Sequence, residues 1–212
     1  MAITTTTTHR VEVPDTDLTF EAEGPIPDAY DDDIWVRNLT GQKDGSTRAV
    51  TWLVSDQEDR SDLIEWDDPS DDPREWVNGC FRDFRNSRDG GGEVARDDFM
   101  AEAIEAVGAD HVFVVDVYSH GLEHYSVANT VPYPDRQWDV APACVLVVPA
   151  DVTSPREWAV AMMESWTAVV NGDVWGIVTH YLDDAGNVVE CDSVWGMIGR
   201  EWAEQAAASG DY

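Results

Sequence analysis

The tripeptide Val-Trp-Gly occurs twice within 23 residues, at Val174-Trp175-Gly176 and at Val194-Trp195-Gly196, on either side of Asp183-Asp184-Ala185-Gly186-Asn187. Two β-branched, aromatic segments separated by Asp, Gly and Asn are the pattern of a β-hairpin, because those turn residues tolerate the backbone angles of a tight reversal. With the loop centred on Ala185, antiparallel partners have residue numbers that sum to 370. That register sets Trp175 against Trp195, Gly176 against Val194, Val174 against Gly196 and His180 against Glu190. It gives Trp175, Ile177, Tyr181, Val189, Cys191 and Trp195 a common face, and a buried Trp195 would cost about 3 to 5 kcal/mol on truncation to Ala.

Further strands are expected at 47–55, 111–119 and 144–150, which are almost continuously apolar and β-branched. Helices are expected near 73–86, 96–107 and 155–170. The first and last of these open on the related words Asp72-Pro73-Arg74-Glu75-Trp76 and Ser154-Pro155-Arg156-Glu157-Trp158, in which a capping residue precedes Pro and then Glu. Asn171-Gly172 supplies a stop for the last helix and Gly108 for the middle one. The fold class is α+β, with a central sheet packed by helices. Residues 1–33, Thr-rich and then acidic, read as an extended arm with a strand near Leu18 to Glu23, and 34–212 as one globular domain.

Charge narrows the function. Forty-three acidic residues against thirteen basic ones give a net charge of −30. Such a chain repels nucleic acid and anionic membranes within a Debye length of about 8 Å, and its natural complement is a basic protein. The acids concentrate between Asp56 and Asp72, where Asp56, Glu58, Asp59, Asp62, Glu65, Asp67, Asp68, Asp71 and Asp72 are opposed by Arg60 alone. Leu63, Ile64 and Trp66 interrupt this run and give it something to bury. The segment is therefore expected to be an ordered, exposed partner-binding surface, with Trp66 as an anchor inside a charged rim.

Catalytic signatures are sparse. No phosphate loop, nucleotide fingerprint or nucleophile elbow occurs, and Asp89-Gly90-Gly91-Gly92-Glu93 reads as a linker. His120 and His124, with Asp116 or Asp139, make a conceivable metal or catalytic group, but a strand precedes them and Gly121 separates them, so a hydrogen-bonded structural role is favoured. Cys80, Cys144 and Cys191 are too dispersed for a disulfide framework or a zinc ribbon. No catalytic residue, metal or cofactor is assigned. The absence of a signal-like stretch or a long apolar run leads to the expectation of a soluble, cytoplasmic protein.

The C-terminal 40% also resembles a family of acidic, uncharacterised proteins encoded by phages and plasmids. Members carry TGEVYGF and DSCWGFYG words, preceded by YDHSG and WDSGQVG. The corresponding words here are Asn171 to Ile177 (NGDVWGI), Asp192 to Gly199 (DSVWGMIG), Tyr118 to Gly121 (YSHG) and Trp138-Asp139. Val194 stands where the family has Cys. The resemblance implies a mobile-element setting and no catalytic role. In that setting the charge suggests a DNA mimic. A globule of this length spans some 40 Å, over which duplex DNA carries on the order of 24 charges. The expected partner is a basic nucleic-acid-binding host protein such as a restriction enzyme, CRISPR effector, nucleoid protein or polymerase. The alternatives are a halophilic or metal-dependent enzyme around His120, Asp116 and Asp139, and an adaptor that binds a host protein through its aromatic residues.

Overall fold

The computed structural model describes residues 8–12, 19–23, 36–39, 48–56, 60–85, 92–133 and 136–209. Ten strands occur among them: β1 (Thr8–Glu12), β2 (Thr19–Glu23), β3 (Val36–Leu39), β4 (Arg48–Ser55), β5 (Cys80–Asp83), β6 (Val112–His120), β7 (Leu122–Val127), β8 (Val140–Val147), β9 (Val174–Leu182) and β10 (Val188–Ile198). The α-helices among them are α1 (Gly92–Val107), α2 (Arg136–Asp139), α3 (Pro155–Val170) and α4 (Arg200–Ser209). The class is α+β, and all strand pairing is antiparallel. In place of one central sheet there are two four-stranded sheets and the β1–β2 ribbon. The boundary expected at residue 33 does not divide the chain, which splits into a unit of Met1–Arg60 with Gly172–Tyr212 and a unit of Ser61–Asn171.

In the first unit the strand order is β10-β9-β4-β3. The apolar run of β9 takes a central position, and every residue from Val174 to His180 is buried. Helix α4 lays Ala203, Ala206 and Ala207 against Leu53, Trp175, Ile177 and Met197, small side chains at helical spacing that let the helix lie close. Asp173 fastens this corner: its Oδ1 accepts from the Arg200 backbone N–H at 3.0 Å and from Trp175 Nε1 at 2.6 Å, while its carbonyl accepts from the Gly199 N–H.

The hairpin forms with its turn where expected. Asp183 and Asn187 close the loop, and the Asp183 carboxylate accepts the N–H groups of Ala185 and Asn187. The register beyond the turn differs from the expected one. Val188 faces Leu182, but a bulge then moves every pair by one, so Cys191 rather than Glu190 faces His180, and Val194 faces Ile177. A second irregularity places Met197 opposite Trp175. The cross-strand tryptophan pair is therefore absent, and so is the common face built on it. Gly196, at φ 82°, provides the left-handed residue that such a bulge uses. Trp195 crosses to lie over Gly176, where a Cβ would meet its ring carbon Cε3 at 2.4 Å. Trp195 is 38% exposed, so the truncation cost expected for a buried ring does not apply.

The second unit has the strand order β5-β8-β6-β7, with a helix against each face. On one face Val115, Val117, Tyr125, Val127, Cys144 and Leu146 pack on Ala159 and Met163 of α3. On the other, Val112, Val145 and Val147 pack with Trp76, Phe84, and Phe99 and Ala103 of α1. Helix α3 has the bounds expected from Pro155 and Asn171-Gly172, although the Ser154 hydroxyl makes no capping bond.

The helix expected at 73–86 is overturned. Pro73–Glu75 form a single 3₁₀ turn, capped by Asp72 through the Arg74 N–H, and the chain then enters β5. The turn ends at Trp76, whose backbone is already extended and whose ring is buried beside Phe99. The chain then passes through Gly79, at φ 76° and with its α-carbon against the Val147 carbonyl, which a Cβ would approach to 2.8 Å. The residues after it alternate as a strand, with Cys80, Arg82 and Phe84 on the α1 side, where Arg82 covers the Phe84 and Phe99 rings, and Phe81 on the α3 side.

Candidate functional site

The acidic segment is divided between the two units. Asp56 belongs to the first and is buried, its side chain 4% exposed and paired with Arg60 at 2.7 Å. It is a structural carboxylate, not part of an interaction surface. Glu58 and Asp59 lie outside the described residues. In the second unit Asp62 and Glu65 are exposed, as are Asp68 and Asp71. Trp66 is not an exposed anchor: its ring lies 5.5 Å from Phe81 and 5.8 Å from Trp166, in the aromatic layer under α3. Burying Ile64 and much of Trp66 attaches the segment to the unit while its acids stay in water.

Local hydrogen bonds then fix three of the carboxylates, those of Asp67, Asp68 and Asp72. Asp67 Oδ2 accepts the Asn78 N–H at 2.7 Å. Asp68 Oδ1 accepts both the backbone N–H and the hydroxyl of Ser70, bonds that hold its pKa below the usual carboxylate range. The Asp68 carbonyl takes the indole N–H of buried Trp76. Asp72 is held low in the same way by its hydrogen bonds with Arg74. A groove of about 660 Å³ borders this segment, lined by Ser70, Asp71, Asp72, Arg74 and, from α1, Glu102 and Glu105. The α1 acids are absent from the expected site. Their signal is present in the sequence, since Glu102 and Glu105 are three residues apart, a spacing that puts both on one side of a helix.

A second polar cluster occupies the α1-side face of the second unit's sheet. Asp116, Tyr118 and His120 alternate along β6, and His124 and Ser126 of β7 stand opposite Tyr118 and Asp116. Tyr118 stacks on Tyr133 at 4.8 Å and on His120 at 6.1 Å, all three rings nearly parallel. The Tyr133 hydroxyl lies 2.6 Å from His124 Nδ1 and 2.8 Å from Ser126 Oγ. His120 reaches Asp139 only at 3.7 Å and is 74% exposed. Asp116 is buried and paired with Arg136 at 2.7 Å. The trio named as an alternative site is thus brought into one region, with Asp116 engaged by Arg136. Among the described residues no group of His, Cys, Asp or Glu is arranged to hold a metal ion. Tyr133 and Arg136 follow a turn that nothing in the sequence ties to β6, and sequence reading passes over them.

A third network is structural in character. Arg85 bonds Asp83, Glu123 and the Tyr125 hydroxyl. Its hydrogen bonds lower the pKa of Glu123; burial resists the ionisation of Asp83 but the bonds from Arg85 outweigh it. Burial likewise pushes the thiols of Cys80, to about 12, and Cys144 upward, which makes both poor nucleophiles. Exposed Cys191 is also raised by desolvation.

Comparison with protein-family models, with curated protein sequences and with solved structures returns no match for this chain. No helix among the described residues is long and apolar enough to cross a membrane.

Proposed function

We propose that this chain is an acidic decoy that occupies the DNA-binding cleft of a basic host protein, in a phage or plasmid setting and in the cytoplasm. One observation carries the reading: Asp67, Asp68 and Asp72 are held by local hydrogen bonds on a loop anchored by Ile64 and Trp66, and the exposed acids beside them continue across a groove onto α1. Fixed charge binds a rigid basic cleft with less entropy loss than a mobile tail of the same composition. Carboxylates offer arginine and lysine the same charge-assisted hydrogen bonds that phosphates do, and a net charge of −30 is of the size a duplex segment presents. The enzyme alternative is weaker, because Asp116 is engaged by Arg136 and His120 is a loosely placed, exposed side chain.

The test is competition. A panel of DNA-binding enzymes, each holding a fluorescent duplex, is titrated with the protein at low salt, and release is followed by anisotropy. Asp62, Glu65, Asp68 and Asp71 are then replaced by Asn or Gln, with Glu201 and Glu204 of α4 as the control set. The reading expects release from at least one enzyme, weakened at least tenfold by the first set and little by the second. Equal loss from both sets would reduce the acids to bulk charge, and release by neither protein from any enzyme would remove the decoy role.

A further inference from the structure

The Asp116 cluster carries an inference of its own, on residues that the acidic groove does not share. Asp116 is 1% exposed, a carboxylate taken entirely out of water. Its Oδ2 receives Arg136 at 2.7 Å and the backbone N–H of Asn129, a residue held at φ 64°, at 3.3 Å. Its Oδ1 is sealed from solvent and has no hydrogen-bond partner. A buried charged acceptor left unbonded is unfavourable, because no hydrogen bond offsets the loss of its hydration. Arg136 could cancel that cost by bidentate pairing, the geometry for which a guanidinium is suited, yet it engages one oxygen only.

The surroundings suit a planar cation. Tyr118, Tyr133 and His120 form a stack of near-parallel rings on the same strand face as Asp116, and a guanidinium is a flat ion that stacks on aromatic faces. Asp139, 29% exposed, provides a second carboxylate beside His120. Arg136 itself is 42% exposed, so its head group lies between the buried carboxylate and solvent.

We propose that this cluster is a guanidinium-binding site, filled internally by Arg136 and able to accept an incoming guanidinium in exchange. The exchange conserves charge, since one cation replaces another on Asp116, and it is driven by the second hydrogen bond that Oδ1 lacks. The ligand is a free alkylguanidine or the arginine side chain of a protein, two sources of one chemistry.

Three measurements decide it. Arg136→Ala leaves Asp116 as an uncompensated buried charge and should lower the melting temperature, and ethylguanidinium at millimolar concentration should restore it saturably where ethylammonium at the same ionic strength does not. The Asp116→Asn/Arg136→Ala double variant should show no such restoration. If ethylguanidinium raised the melting temperature of the double variant as much as that of Arg136→Ala, Asp116 would not be the receptor. In the wild-type protein, ethylguanidinium should shift the NMR signals of the Asn129 amide and of the indole of Trp138, the exposed residue between Arg136 and Asp139 on α2, and a short arginine peptide should do so more strongly than its citrulline counterpart if the natural source is a protein. Equal effects of peptide and ethylguanidinium assign the free compound. Wild-type signals that stay in place, or that move with the citrulline peptide alike, would overturn the proposal and leave Arg136 as a permanent internal partner of Asp116. Asp139→Asn, at a partly exposed position, is the variant that keeps the test open should Asp116 variants fail to fold, and it should weaken the wild-type response several-fold.

Discussion

Gly176 is a glycine because another residue's ring occupies the place of its side chain. Ala at this position puts a methyl within 2.4 Å of Trp195 Cε3, and overpacking of this kind costs about 1 to 3 kcal/mol. The expected outcome is a fall of that size in urea denaturation, shrinking towards zero when Trp195 is Ala as well. An undiminished cost in the double variant would place the strain in the backbone instead. His180 supplies a pH dependence. It is buried in β9 with Nδ1 accepting from Trp52 Nε1 at 3.2 Å, and burial lowers its pKa, favouring the neutral ring. The folded pKa is below the unfolded value of about 6.5, so the unfolded state takes up a proton first. The stability from the neutral ring is then complete above about pH 6.5 and declines as the pH falls through and below that value. Thermal melts between pH 8 and 5 should show this decline, and a His180→Gln variant should show a shallower one.

At the scale of elements, Asp173 links the start of β9 to the start of α4. Asp173→Ala removes the cap on the Arg200 N–H and leaves the indole N–H of buried Trp175 without its acceptor. A loss of about 1 to 2 kcal/mol is expected, with Asn recovering much of it, as read by chemical denaturation. What could be read in advance was what local residues decide. Pro155 and Asn171-Gly172 bound α3 by chemistry internal to the segment, and Asp183 to Asn187 make their turn from their own side chains. The register of β10 depended instead on where Trp195 finds room, a contact with Gly176 across the sheet that no pattern within either strand announces. The word at Asp72 to Trp76 started a helical turn as its residues direct, and the burial of Trp76 beside Phe99, a contact distant in sequence, accompanies its end. The candidate site follows the same division. The exposure of Asp62, Glu65, Asp68 and Asp71 was legible from composition, whereas the burial of Asp56 and Trp66 was set by Arg60 in one case and by the Phe81 and Trp166 rings in the other. Mixed apolar and acidic spacing is the same signal for an anchor that points inward and one that points outward.

For the whole molecule the dominant quantity is the charge of −30. Self-repulsion of that size destabilises a compact chain and is relieved by salt. The melting temperature should therefore rise between 10 mM and about 0.5 M sodium chloride and level off as the Debye length falls to a few ångströms, while decoy binding weakens over the same range. Stability that kept climbing into molar salt would favour the halophilic reading. A different consequence follows from the way β4 and β9 are neighbours. Ser55 pairs with Trp175, and the Asp56 N–H bonds to the Val174 carbonyl, so the chain leaves the end of one central strand and returns to the same end of its neighbour after completing residues 61–171. On a ribosome, β4 emerges long before its partner. At about 5 to 20 residues per second, Val50, Trp52 and Leu53 wait roughly 6 to 24 s for β9 to appear, and in that interval an apolar strand with an open edge is available to any nascent chain nearby.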